Sequence, residues 1–220
     1  MKQKTLGLIH TSAIHVPGFA QLCKEKIPGV KLFNIVDDSL VSGIAAAGGL
    51  TPTIARRVAG YLESAELAGA DYILVTCSSI GPAVEAGAKL IGVPVLRVDQ
   101  PMADKAVATG KRIGVIATLQ TTLEPTTDLI QRRALRAGQQ IEITSKLCAG
   151  AFEALLSGDA ATHDATVAAA LKELSQQVDV IVLAQASMAR VVDTLTPQYK
   201  RVPILASPAI AVDYLATVLK

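Results

Sequence analysis

The chain has 220 residues, enough to bury a sizeable core in one large domain or two small ones, and half of them are apolar with no Trp among them. Its 21 Lys plus Arg against 19 Asp plus Glu leave a formal charge of +2, with Arg132, Arg133 and Arg136 read as the solvated face of one helix, so a nucleic-acid footprint is not indicated. No apolar run approaches the ~18 to 20 residues that span a bilayer, the first ten residues lack the form of a signal peptide, and three cysteines without paired or metal-type spacing suit a reducing compartment, so a cytoplasmic protein with no membrane partner is expected.

Apolar runs of strand length alternate with periodic segments of helix length along the chain. The first strands fall near 4–10 and 30–36, and Asp37 and Asp38 in "NIVDDSL" suit the cap of a helix beginning near Ser39. "AAAGGLTP" reads as a hinge or pocket-edge loop. In "GGLTPTIARRVAGYLESAELAGAD", Thr51 can cap the orphan N–H groups, Pro52 fits the first helical position, and Gly69 stops the helix. Strands follow near 71–76 and 94–98, the latter ending beside Asp99 and Gln100, and a short crossover is expected over 99–111. Further strands fall near 112–117, 140–146, 179–184 and 202–206. This βαβ alternation predicts a parallel sheet covered on both faces, with ligands beyond the carboxyl ends of its strands.

The chain repeats itself. "TLGLIHTS" matches "RIGVIATL", "ADYILVTCSSI" matches "VDVIVLAQASM", and "GVPVLRV" matches "RVPILAS", at offsets of 107, 108 and 109. Three phrases in one order at nearly constant spacing imply two copies of one α/β unit. The fold expected is therefore α/β with two pseudo-symmetric parallel-sheet lobes, one over 1–98 plus 208–220 and one over 99–207, and an active site in the cleft between them.

Cys77 follows the strand "YILVT" and precedes a helix starting near Ile80, where the partial positive charge of a helix N-terminus favours a thiolate. Cys23, in the helical "FAQLCKEKI", reads as a small core residue, and Cys148 lies at another strand-to-helix turn. His15 and His163 form no metal-ligand spacing with His10.

A cysteine six residues after a strand-opening aspartate, followed by small hydroxyl residues in a duplicated α/β chain, resembles the aspartate/glutamate/hydantoin racemase superfamily, which includes maleate isomerase and arylmalonate decarboxylase. The likeness runs through "IHTS", "NIVDDSL", "VTCSS", "IGVIATLQTT" and "VIVLAQAS". It implies a cofactor-independent isomerase, expected as a homodimer, in which a thiolate removes the proton alpha to the carboxylate of a small acid and a second thiol protonates the other face. It also implies that Thr11, Ser12, Ser78 and Ser79 of the first copy, with Thr118, Thr121, Thr122, Gln185, Ala186 and Ser187 of the second, bind the substrate, and that the last helix returns to the first half.

One position departs from the pattern. The second cysteine maps six residues after Asp179, and that residue is Gln185, an amide with no proton to exchange near neutral pH. Three repairs follow: His10 as the second acid or base, chemistry on one face only as in a decarboxylase, or Cys77 as a nucleophile. A non-catalytic protein that binds a small acid is the further alternative. Few arginines lie near the expected strand ends, a hint against a clamp for a second carboxylate.

Overall fold

The computed structural model describes residues 3–219, and its contacts divide the chain into two units, one ending at Gln100 and resuming at Pro208, the other running from Pro101 to Ser207. The first unit contains, in order, β1 Thr5–His10, α1 Val16–Lys26, β2 Lys31–Val36, α2 Ser39–Ala47, α3 Pro52–Leu67, β3 Tyr72–Val75, α4 Gly81–Gly87 and β4 Val95–Arg97. Its four parallel strands lie in the order β2-β1-β3-β4. From α5 Gln100–Thr109 onward, the second unit runs β5 Arg112–Ala117, α6 Gln120–Arg136, β6 Glu142–Leu147, α7 Ala151–Leu156, α8 Ala160–Leu174, β7 Val180–Leu183, α9 Ala189–Thr194 and β8 Ile204–Ala206. These strands are also parallel, in the order β6-β5-β7-β8. The topology is one unit written twice.

Strand alternation sorts the side chains of the first sheet onto two faces. Leu6, Leu8, Leu74 and Leu96 pack with Phe19 and Cys23 of α1 and with Ala211, Val212 and Leu215 of α10 Ser207–Val218, which thus belongs to the first unit. Ile9, Ile73 and Val75 pack on the other face with Leu40, Ile44, Val58 and Leu62 from α2 and α3. In the second unit, Ile116, Ile181 and Leu183 pack with Val167, Leu171 and Leu174 of α8. Each first strand carries a glycine at the same register. A Cβ on Gly7 would meet the Phe33 ring at 2.9 Å and Ala70 at 3.3 Å, and one on Gly114 would meet Leu174 and Val178 at 3.3 Å. The aspartates that open β3 and β7 are likewise matched: Asp71 accepts the Thr5 N–H at 2.8 Å, and Asp179 accepts the Arg112 N–H at 2.9 Å.

Segment 99–111, expected as a short crossover, is occupied by the helix α5, whose Met102, Ala103, Ala106 and Val107 are buried. The apolar residues of "QPMADKAVAT" recur at helical spacing, so the connection is made by a packed helix rather than by a bare crossover. Arg132 pairs with Asp128 on its own helix and Arg133 with Asp104 of α5, so these charges are spent within the unit. The Thr51 side chain accepts the Ile54 N–H and Pro52 opens α3, as the sequence indicated. Thr51→Ala is expected to cost about 1 kcal/mol in urea unfolding, within the usual range for a lost cap; an unchanged midpoint would mean that the bond contributes nothing.

Candidate active site

Cys77 stands one residue beyond Thr76 at the carboxyl end of β3, and it is the N-cap of a 3-10 turn, Ser78–Ile80, that leads into α4. Its side chain is half-buried against the cluster that holds Ile9 and Val75, while Ser78 and Ser79 are buried. Thr11, next after β1, is buried and continues the register of Gly7 and Ile9, the face that carries Cys77; Ser12 is half-buried. His10 and Thr76 continue the opposite register, that of Leu8 and Leu74. The His10 imidazole has its Nδ1 2.9 Å from Thr76 Oγ1 and its Nε2 3.0 Å from Asn34 Oδ1, with the Phe19 ring tilted against it. Both ring nitrogens are therefore held by protein partners.

The second unit repeats this arrangement with different side chains. Gln185 is the N-cap of the 3-10 turn Ala186–Met188, with φ −133° and ψ 138° against −131° and 123° at Cys77. Its Oε1 accepts the Thr118 N–H at 2.6 Å and the Thr118 hydroxyl at 2.9 Å. Thr118 and Thr122 are buried, and Thr121, Ala186 and Ser187 are half-buried. Thr121 and Thr122 lie in the first turn of α6.

Sequence reasoning missed the role of Arg97. Its guanidinium, only 2 % exposed, bonds Asp99 through Nε at 3.0 Å and Nη2 at 2.7 Å, and Glu85 of α4 through Nη1 at 2.6 Å. It lies against Gly81, where a Cβ would fall 2.2 Å from its Cζ. The signal was an arginine and an aspartate two apart on one strand face, "LRVD". So an arginine does stand at a strand end, but two carboxylates already hold it. Asp37 and Asp38 are structural as well. Asp37 accepts Ser39 N–H and hydroxyl and meets Tyr61, and Asp38 accepts the Ala13 N–H at 2.9 Å.

The other cysteines are core residues: burial pushes the Cys23 thiol up to about 11 and raises that of Cys148. Among the described residues no cluster of three His, Cys, Asp or Glu side chains could hold a metal ion, and no helix is long and apolar enough to cross a membrane. Burial pushes His10 below its ordinary 6.5, opposed by the Asn34 bond and assisted by His15, and burial alone lowers His15. The unfolded chain binds these protons more readily than the folded one. Their contribution to stability is therefore complete above about pH 6.5 and is lost as pH falls through the folded values. Melting temperature is expected to drop as pH falls below about 6.5, with a shallower slope in His10→Gln; parallel slopes would show that His10 burial does not matter.

The profile of the Asp/Glu/Hydantoin racemase family matches residues 7–215, nearly the whole chain. This chain belongs to that family. Among solved structures, a Yersinia pestis protein provisionally assigned as an Asp/Glu racemase superposes with a TM-score of 0.79 at 20% identity, covering 99% of each chain. A glutamate racemase from Bacillus anthracis gives 0.75 at 18% identity, covering 100% of this chain and 82% of its own. An allantoin racemase from Klebsiella pneumoniae gives 0.72 at 17%, covering 99% and 87%. At such identities these likenesses establish the α/β racemase fold. A search of curated proteins found none that matches. Membership in the Asp/Glu/hydantoin racemase family supports a racemase-like enzyme, and the solved structures share its fold. Within it, Cys77 and Gln185 occupy equivalent turns of the two units.

Proposed function

We propose that the protein is a cofactor-independent isomerase of a small carboxylate, with Cys77 as its reacting thiol. The observation that carries this reading is that Cys77 is the one half-accessible thiol among the three cysteines and caps the turn at a strand's carboxyl end. The buried Ser78 and Ser79 beside it are suited to holding the substrate carboxylate, since negative charge that builds on those oxygens as the alpha proton leaves must be met by donors. Thr11 and Ser12 join them as proposed binding residues of the first unit, and Thr118, Thr121, Thr122, Ala186 and Ser187 are the proposed binding residues of the second. His10, held at both ring nitrogens, is assigned to positioning: it fixes Thr76, the residue before Cys77.

Gln185 shapes the reaction. Its amide neither takes nor gives a proton near neutral pH, so exchange between two thiols is replaced by chemistry of one thiol. One route is proton removal by Cys77 and its return from the same face to a different carbon of the delocalised anion, since return to the same carbon would give exchange with solvent but no change of configuration. Another is addition of the thiolate to an activated double bond, rotation about the single bond formed, and elimination that restores both the alkene and the thiolate. A second reading, decarboxylation with protonation from one face, is favoured by the same amide. The proposal includes a cytoplasmic homodimer, whose mass light scattering would report.

The test is incubation in deuterated water with aspartate, glutamate, hydantoins, maleate and malonates, followed by NMR. Deuterium at an alpha carbon supports proton transfer, and a change of alkene geometry without label supports addition. Loss of carbon dioxide selects the decarboxylase. Binding without turnover of any acid would make the protein an acid-binding one and refute the isomerase.

A further inference from the structure

The Gln185 amide is held in one sense. A backbone N–H can only donate, so the atom of the side chain 2.6 Å from Thr118 N must be the oxygen, and the Thr118 hydroxyl at 2.9 Å donates to that same oxygen. Both lone pairs of Oε1 are then used. The NH2 group, which cannot accept, makes no hydrogen bond among the described residues. It is not among the fully buried polar atoms without a partner, and it belongs to a half-buried side chain. Its neighbours in the turn, Ala186 and Ser187, are half-buried and carry no charge.

We propose that Gln185 is a fixed, donor-only contact for an oxygen of the substrate, and so selects molecules that present an acceptor oxygen, a carboxylate or a carbonyl, to the carboxyl end of the second sheet. This rests on the small-carboxylate reading above and adds the group that stands at the position equivalent to Cys77: a neutral donor that is already oriented before binding. Orientation is what distinguishes it from a surface glutamine. Two bonds from one buried threonine restrict the terminal torsion, so little freedom remains to be lost when the substrate oxygen arrives. Amino and other cationic groups are rejected at the same point, because two N–H donors would face a third.

The experiment uses the full chain, with malonate, maleate and aspartate as carboxylate probes and hydantoin as the carbonyl probe. The side-chain amide signal of Gln185, assigned by its loss in Gln185→Glu, is followed by nitrogen-15 NMR during titration, together with the backbone amides of Ser78 and Ser79. The Gln185 NH2 signal is expected to move with at least one probe; the carboxylates moving it but not hydantoin identifies the acceptor as an anion, and the converse identifies a carbonyl. Gln185→Glu keeps an oxygen for both Thr118 donors, so its melting temperature should match the parent, while affinity for the acids falls about 10- to 100-fold because an acceptor replaces the donor. If Ser78 and Ser79 respond while the Gln185 signal stays still and Gln185→Glu binds as the parent does, the donor role is overturned and the isomerase reading stands. Silence of every signal with every probe would remove the acid-binding reading and this inference together.

Discussion

Cys77→Ser is expected to lower turnover of whichever acid the deuterium experiment identifies by about 100- to 10,000-fold, the usual worth of a positioned acid or base. A serine hydroxyl has nearly the same size, but it does not ionise near neutral pH, so both proton removal and nucleophilic addition lose their reagent. The half-buried position and the extended backbone at Cys77 accept serine without repacking, and the melting temperature should barely change. Binding of the acid should persist, since the proposed carboxylate donors at Ser78 and Ser79 remain. Cys23→Ala and Cys148→Ala serve as controls. Both thiols are buried and raised by that burial, so these variants should lose stability and keep turnover per folded molecule. Turnover in Cys77→Ser equal to that of the parent would take the thiol out of the chemistry.

Breaking the Arg97–Asp99 pair is expected to cause the largest loss of stability from a single polar change. Asp99 is fully buried and Arg97 nearly so, and they share two bonds, with Glu85 supplying a third to the guanidinium. Arg97→Met leaves the Asp99 carboxylate buried and unpaired, and Asp99→Asn leaves the guanidinium short of a charge. Each should cost about 3–5 kcal/mol in urea unfolding. The double change Arg97→Met with Asp99→Leu should recover much of that, because a buried apolar pair avoids desolvating two ions. A single-variant loss near the ~1 kcal/mol of an exposed ion pair would show that water screens the site. Gly81 belongs to the same device. The guanidinium occupies the space of any Cβ there, so Gly81→Ala must displace either Arg97 or the start of α4, the helix that the turn bearing Cys77, Ser78 and Ser79 leads into.

Most strands were legible because each is a short apolar run closed by turn residues, and β5 was found with its own bounds. The repeat was legible because the two sheets impose the same demands at the same register: a small residue at Gly7 and Gly114, and an acid at Asp71 and Asp179 to hold the neighbouring strand. The position of Cys77 followed from the same grammar. What stayed hidden was what side chains do across space. The pairing of Arg97 with Asp99 needs the strand faces, and Glu85 comes from a different element. His10 could be placed at the end of β1, but its enclosure between Thr76 and Asn34 depends on β1 lying between β2 and β3. Gln185 was visible as a missing cysteine; that Thr118 locks its amide was not, because residues 67 apart in the chain meet only once the sheet is formed.

The near-identity of backbone angles at residues 77 and 185 means that the duplicated scaffold separates shape from reactivity. Each half offers the same mount, and the side chain attached to it can be exchanged without rebuilding what lies beneath. A scaffold of this construction can change the group presented at one mount through a single codon while its framework stays as it was.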